Sequence, residues 1–303
     1  MTTRAGMDTA TGRAVWLRRD AERIGGTLPP LLAEAERLAA TIAAGVHGRR
    51  RAGPGEEFWQ YRQALPGDVA SAIDWRRSAR SDHAYIREME WDAAQTVTIW
   101  ADTARAMDYQ GPTAPRSKGE RARLLALALA VLLVRGGERV AFHGTEATEP
   151  KTGEQHLRRL ALALSGEEDG RPDYGAPLAW PGRRTGRAVL LSDFLGPLDA
   201  VEDMVRSAAA GGVAGVLVQI NDPAEEQFPF DGRTRFRSMA GVLDFETERA
   251  RALKDNYVLR LAERRDTLAR IARAAGWQVI QHHTDVSPRV ALLSLYTLLR
   301  GAR

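Results

Sequence analysis

From Thr96 onward the chain alternates short apolar runs with amphipathic stretches, and this alternation constrains its fold more than any other feature. The runs at 96–101, 138–143, 187–192 and 213–220 have the length and residue types of strands, and 118–135, 154–164 and 198–210 carry helical spacing between them. Strands that are apolar throughout need cover on both faces, which crossover helices supply. The pattern predicts an α/β fold with a doubly wound, mostly parallel sheet.

The final third extends the pattern. An extended region at about 233–245 precedes a long amphipathic helix whose Leu253, Tyr257, Leu261, Leu268 and Ile271 keep helical spacing until Gly276 can cap it. A strand over 277–282 and a helix over 288–299 follow. Upstream, an amphipathic stretch from Leu31 to about Val46 follows Pro29-Pro30, a pair suited to a helix entrance. The organisation expected is a helical extension over 1–50, a β-rich segment over 51–95 and an α/β domain over 96–303. The turn-rich stretch 165–187 reads as a mobile surface loop.

The chain has no cysteine, which removes disulfides, zinc-thiolate sites and cysteine nucleophiles together. Its first 26 residues lack the apolar centre of a secretory signal. The longest apolar run, LLALALAVLLV, is eleven residues, about half the roughly 20 that a membrane span requires. It reads as a buried helix, so a cytoplasmic location without direct membrane insertion is expected. The net charge is +4, and all but three of the 43 basic residues are arginine, the lysines being Lys118, Lys151 and Lys254. The arginines alternate with acids, as in RRDAER and LAERRDTLAR, which describes ion-paired surfaces more than a phosphate-tracking stripe. Nucleic acid is therefore not the expected partner.

Residues 53–90 mix glycines and a Pro-Gly turn with aromatics and paired charges, which suits a half-buried, charge-crosslinked β-structure turning at Pro66-Gly67-Asp68. The block resembles the signature of the domain of unknown function 58 family. Gly53, Gly55, Glu57, Phe58, Arg62, Pro66, Gly67, Asp68, Ile73, Asp74, Trp75, Ser78, Ala79, Arg80, Arg87 and Glu90 fall in register with it. TVTIWADTARAM at 96–107, VLLSDFLGPLD at 189–199 and QINDPAEEQFPF at 219–230 carry the resemblance onward. It implies a von Willebrand factor A-like domain and a MoxR-type AAA+ ATPase as partner, and so a non-catalytic adaptor or scaffold in assembly or chaperone-like work. The signature residues then read as architecture. Phe58, Trp59, Tyr61, Trp75, Tyr85 and Trp91 form a small core on this reading, with Arg76, Arg77 and Arg80 lying on rings or pairing with Asp74, Glu88 and Glu90.

In a doubly wound sheet ligands gather at the carboxyl ends of strands, where Asp102, His143, Asp193 and Asn221-Asp222 fall. Metal-competent von Willebrand A domains end their first strand in DxSxS, which gives oxygens to Mg²⁺ together with a threonine and a second aspartate from other loops. This chain keeps Asp102, and Asp193 matches the second aspartate, but Ala104 and Ala106 stand where the serines belong, and 171–178 holds no threonine. The resemblance thus implies a degenerate site. Asp102 and Asp193 are expected to cap turns or to pair with Arg105, whose guanidinium would take part of the lost cation's role, and no cofactor is expected. By the same analogy Arg105, Asp108 and Asp199 mark the candidate partner face.

Nothing else in the sequence carries chemistry. No GxSxG or HExxH occurs, and GPGEEF lacks the Lys-Ser/Thr of a phosphate-binding loop, so the chain is not expected to be an enzyme. Of six histidines only His282 and His283 are adjacent, and strand alternation sends their rings to opposite faces. Two rival readings remain: a metal-dependent ligand-binding domain using Asp102 and Asp193, and a nucleic-acid binder using the Arg/aromatic block.

Overall fold

A computed structural model describes residues 30–43, 58–65, 68, 71, 73–81, 83–89, 94–144, 148–165, 170–180, 186–239, 241 and 243–301. Its centre is a sheet of five parallel strands, β3 (Thr96–Ala101), β4 (Arg139–Phe142), β5 (Arg187–Ser192), β6 (Ala214–Asn221) and β9 (Gln278–His283), in the spatial order β4-β3-β5-β6-β9. Successive residues of each strand feed opposite cores. Val97, Ile99, Val189, Leu191, Val216, Val218 and Ile220 face one side, and Trp100, Ala188, Leu190 and Leu217 face the other. Every helix and strand read from the sequence after Thr96 is present with boundaries shifted by a residue or two.

The first face is covered by α1 (Pro30–Ala43), α3 (Lys118–Arg135), α4 (Glu154–Ser165) and α8 (Pro288–Gly301), and the second by α5 (Asp199–Ala210) and α7 (Lys254–Ala274). The long apolar run lies inside α3, buried from Leu124 to Leu133 between the sheet and its neighbouring helices. No helix among the described residues is long and apolar enough to cross a membrane. α1 was expected as an extension. Its Leu32, Ala35, Ala39 and Ile42 instead share one core with α3 and α8, so this helix is a layer of the α/β unit.

α3 begins with a capping box, in which the Ser117 hydroxyl accepts from the Glu120 amide and the Glu120 carboxylate accepts from the Ser117 amide. Gly119 lets that first turn approach the backbone of Met107, since a Cβ there would lie 3.1 Å from the Met107 carbonyl. The reversal of strand order lies between β3 and β5, so the crevice at their carboxyl ends is the topological switch point.

The signature block forms a two-stranded antiparallel ribbon of β1 (Phe58–Gln63) and β2 (Tyr85–Met89), bridged by the short helix α2 (Trp75–Ser78). Phe58 lies on β1 and Arg87 on β2, while Gly53, Gly55, Glu57, Pro66, Gly67, Glu90 and Trp91 fall outside the described residues. Arg62 holds Asp68 through two bonds of 2.7 Å, and Asp68 also accepts from the Leu65 amide. Asp74 caps α2 by accepting from the Arg77 amide, and it receives the Tyr61 hydroxyl at 3.0 Å. Ser78 ties the cap to β2, donating to the Asp74 carbonyl and accepting from the Tyr85 amide.

Two expectations need correction here. Trp75 is 65% exposed and Tyr61 39%, so these rings do not form a core. Trp75 opens a single helical turn. Arg80 is exposed too, and of the three arginines it is Arg77 that lies over rings, 5.6 Å from the centroids of both Tyr61 and Tyr85. The stretch read as a mobile loop also differs, because residues 170–180 pack onto the end of β3, as shown next.

Candidate functional site

Three strand ends converge on a buried polar centre. After β3, Asp102 turns the chain: its carboxylate accepts from the Ala104 amide at 2.8 Å and from the Ser192 hydroxyl, at the end of β5, at 2.6 Å. Asp193 follows, accepting from the Leu195 amide at 2.9 Å. Phe194 then adopts a left-handed backbone with φ of 52°, a conformation that costs a bulky residue roughly 1–3 kcal/mol. It is held there by its amide bonding to Ser192 and by Arg264, whose Nε donates to its carbonyl at 2.6 Å. After β6, Asp222 and Glu225 form a capping box on α6 (Pro223–Gln227). Asp222 also accepts from the Gly111 amide at 2.8 Å and the Thr284 hydroxyl at 3.1 Å.

Lys118 joins these ends. Its ammonium, on the first turn of α3, lies 2.7 Å from Asp193 Oδ2 and 2.5 Å from Glu225 Oε1, with side-chain exposures of 1%, 3% and 14% respectively. Burial pushes the ammonium toward neutrality, but the charges of Asp193 and Glu225 outweigh it and hold the group protonated above its ordinary range. Burial raises the Glu225 carboxyl, and Lys118 opposes the rise. Asp102 lacks such a cation in contact, and burial pushes its carboxyl up to about 6 although Ser192 and the Ala104 amide favour the charged form.

The 170–180 segment closes the crevice from above. Arg171 grips Asp108 through bonds of 2.9 and 2.6 Å, and the amides of Arg105 and Ala106 donate to the carbonyls of Pro172 and Asp173. Gly175 lies directly on Asp102, where a Cβ would fall 2.0–2.3 Å from the carboxylate atoms. The loop sits where the resemblance implies the missing threonine loop, but it brings a glycine instead of an oxygen.

These residues do not suit a divalent cation. Both Asp102 oxygens are engaged, Asp193 is taken by an ammonium and an amide, and Gly175 leaves no room for a shell of about six oxygens. No group of three or more His, Asp or Glu among the described residues is arranged to hold a metal. The cation in contact with Asp193 is Lys118 and not Arg105, whose side chain is exposed. Of the candidate partner face, Arg105 is exposed in the turn after β3 and Asp199 at the first residue of α5, whereas Asp108 is occupied by Arg171.

Sequence reading missed Lys118, Glu225, Tyr109 and Tyr257. One signal was available: Lys118 is one of three lysines in an arginine-rich chain, and it follows a helix cap directly. A compact ammonium with rotatable donors fits between two carboxylates where a planar guanidinium does not. His282 is buried, and His283 is partly exposed, 2.8 Å from Glu226.

Comparison with known proteins adds the following. The family model described as "Protein of unknown function DUF58" matches residues 60–267. An uncharacterized protein of Mycobacterium tuberculosis, Rv1480, is 29% identical over 245 residues, covering 77% of this chain and 76% of its own length, and an uncharacterized Mycobacterium bovis protein matches equally. Among solved structures, an aerotolerance-related membrane protein from Bacteroides fragilis aligns at a TM-score of 0.40 and 14% identity over 69% of this chain and 100% of that one. The protein BatB from Bacteroides thetaiotaomicron aligns at 0.36 and 13%, with the same coverage.

Proposed function

The chain belongs to the DUF58 family, and from that premise we propose that it is a non-catalytic, von Willebrand A-like interaction module that works with a MoxR-type AAA+ ATPase. One observation carries the non-catalytic, metal-independent part of this reading: the Lys118 ammonium stands between Asp193 and Glu225 in the crevice where such domains otherwise hold a divalent ion. A built-in cation keeps the strand-end loops in one shape without a metal. Partner recognition then falls to the surface that these loops present, with Arg105 and Asp199 exposed on it. A cytoplasmic location belongs to the same proposal. ATP hydrolysis is assigned to the partner, since this sequence carries no phosphate-binding loop.

The nucleic-acid alternative loses support from the ribbon itself. Arg62 is committed to Asp68, and Arg77 lies over the rings a base would need. The test is co-purification from native lysate with and without ATP, using wild type and the double variant Arg105→Glu, Asp199→Arg. An AAA+ ATPase recovered with wild type and lost with the double variant is the expected result. An undiminished complex would reject this face, and absence of any ATPase would reject the partnership.

A further inference from the structure

Beside the Lys118 centre lies a pocket of about 370 Å³ in which Glu225 is the one charged lining residue among the described residues. Four separate segments wall it: Tyr109 after the β3 turn, Phe228 and Phe230 after α6, Phe236 on β7 (Thr234–Arg237), and Leu253 with Tyr257 at the start of α7. The rings hold one another in place. Phe228 lies 5.0 Å from Tyr257, 5.2 Å from Phe230 and 5.7 Å from Phe236, centroid to centroid. Its own backbone is left-handed, with φ of 46°.

The charge behind these walls is unbalanced. Among the described residues Asp193 and Glu225 share the ammonium of Lys118, while Asp222 accepts from the Gly111 and Ala224 amides and the Thr284 hydroxyl. Three cations of neighbouring elements are spent elsewhere: Arg121 on the Thr284 and Val286 carbonyls, Arg264 on the Phe194 carbonyl and Arg265 on Glu226. The phenols of Tyr109 and Tyr257 register the excess. Burial first, and then Asp222 and Glu225, raise Tyr109, while burial and then Glu225 push Tyr257 up to about 12.

We propose that this pocket binds an organic cation whose charge is spread over an apolar skirt, the chemistry of a methylated ammonium group. Aromatic faces attract such a cation, and the attraction grows when water is excluded. Among the described residues no cation lines the pocket, and an anion would face the carboxylate of Glu225. A metal ion would find one carboxylate and too few oxygens. Lys118 already shows the preference, its ammonium lying 5.6 Å from the centroid of the Tyr109 ring. The size suits a small organic molecule or a modified side chain. This inference stands independently of the ATPase partnership.

The test is calorimetric titration of the full chain with tetramethylammonium, choline, the neutral choline isostere 3,3-dimethylbutan-1-ol, and a peptide carrying trimethyllysine or plain lysine. Choline is expected to bind at least about tenfold more tightly than its isostere. Phe236→Ala, on β7, is expected to weaken choline about tenfold with the chain still folded. Tighter binding of the trimethyllysine peptide than of choline would identify a protein side chain as the source, and the reverse a free molecule. Equal affinity for the isostere, no saturable binding of any cation, or unchanged affinity in Phe236→Ala would overturn the proposal. The choline and isostere comparison needs no variant, so it holds even if Phe236→Ala fails to fold.

Discussion

The ammonium of Lys118 lies 2.7 Å from the carboxylate of Asp193, both fully buried, although 75 residues separate them in sequence. A lysine on the first turn of a helix opposes the helix dipole, which favours anions there. Its position is therefore explained by the acids it meets and not by the helix it belongs to. With Glu225 as second acceptor, it ties the start of α3 to the ends of β5 and β6.

Removing that cation should be costly. Lys118→Ala leaves two buried carboxylates facing each other, and breaking a buried pair in this way costs about 3–5 kcal/mol. Urea unfolding should show the loss. Millimolar Mg²⁺ should leave the melting temperature of the wild type unchanged but raise that of Lys118→Ala, because the variant vacates the space between the two acids. A clear Mg²⁺ response of the wild type would contradict the assignment of Lys118 as the resident cation.

Gly175 offers a second test of the same centre. A Cβ there would overlap the Asp102 carboxylate, so Gly175→Ala must move the loop or the acid. Overpacking of this kind costs about 1–3 kcal/mol. Denaturation midpoints compared with those of Gly136→Ala, where φ is −83° and a Cβ would come no closer than 3.4 Å to its neighbours, will separate a steric cause from a general effect of replacing glycine. Equal losses at both positions would mean that the loop does not press on Asp102.

Much of the sheet was legible because its strands are apolar along their whole length and its helices are long enough to show their period. Asp102 and Asp193 were legible as strand-end residues for the same reason. Lys118 was not, since a lysine reads as surface unless its acids are known, and those lie 75 and 107 residues away. The aromatic pocket was hidden similarly, assembled from four segments whose nearness only the fold creates. Trp75 misled in the opposite direction. Hydropathy argues for burial, but a four-residue helix on a two-stranded ribbon leaves this ring 65% exposed.

Within the signature ribbon the two residues that the sequence treats alike should behave differently. Asp74→Ala removes a helix cap and the acceptor of the Tyr61 hydroxyl, a loss of about 1–2 kcal/mol. Arg80→Ala changes an exposed side chain and should stay within about 0.5 kcal/mol of wild type. Matched thermal melts decide this, and a large loss at Arg80 would show that its charge is structurally engaged.

Two buried groups should give the fold opposing pH dependences in the same range. Asp102 is raised to about 6 in the folded chain, above its unfolded value of 3.8, chiefly by burial. Between these values the folded state holds more protons, so Asp102 makes stability fall as pH rises from about 4 to 6. His282 is lowered to about 4, from 6.5, by burial and then by Arg121 and His283. Here the unfolded state holds more protons, so His282 makes stability rise across nearly the same interval. Each contributes on the order of 3 kcal/mol, so the two slopes largely offset each other in the wild type between pH 4 and 6. Asp102→Asn, which keeps an acceptor for the Ala104 amide and a partner for Ser192, should expose the rising His282 slope. His282→Gln should expose the falling Asp102 slope. Urea midpoints at four pH values for the three proteins provide the check. Parallel profiles in all three would show that neither group titrates as its burial requires.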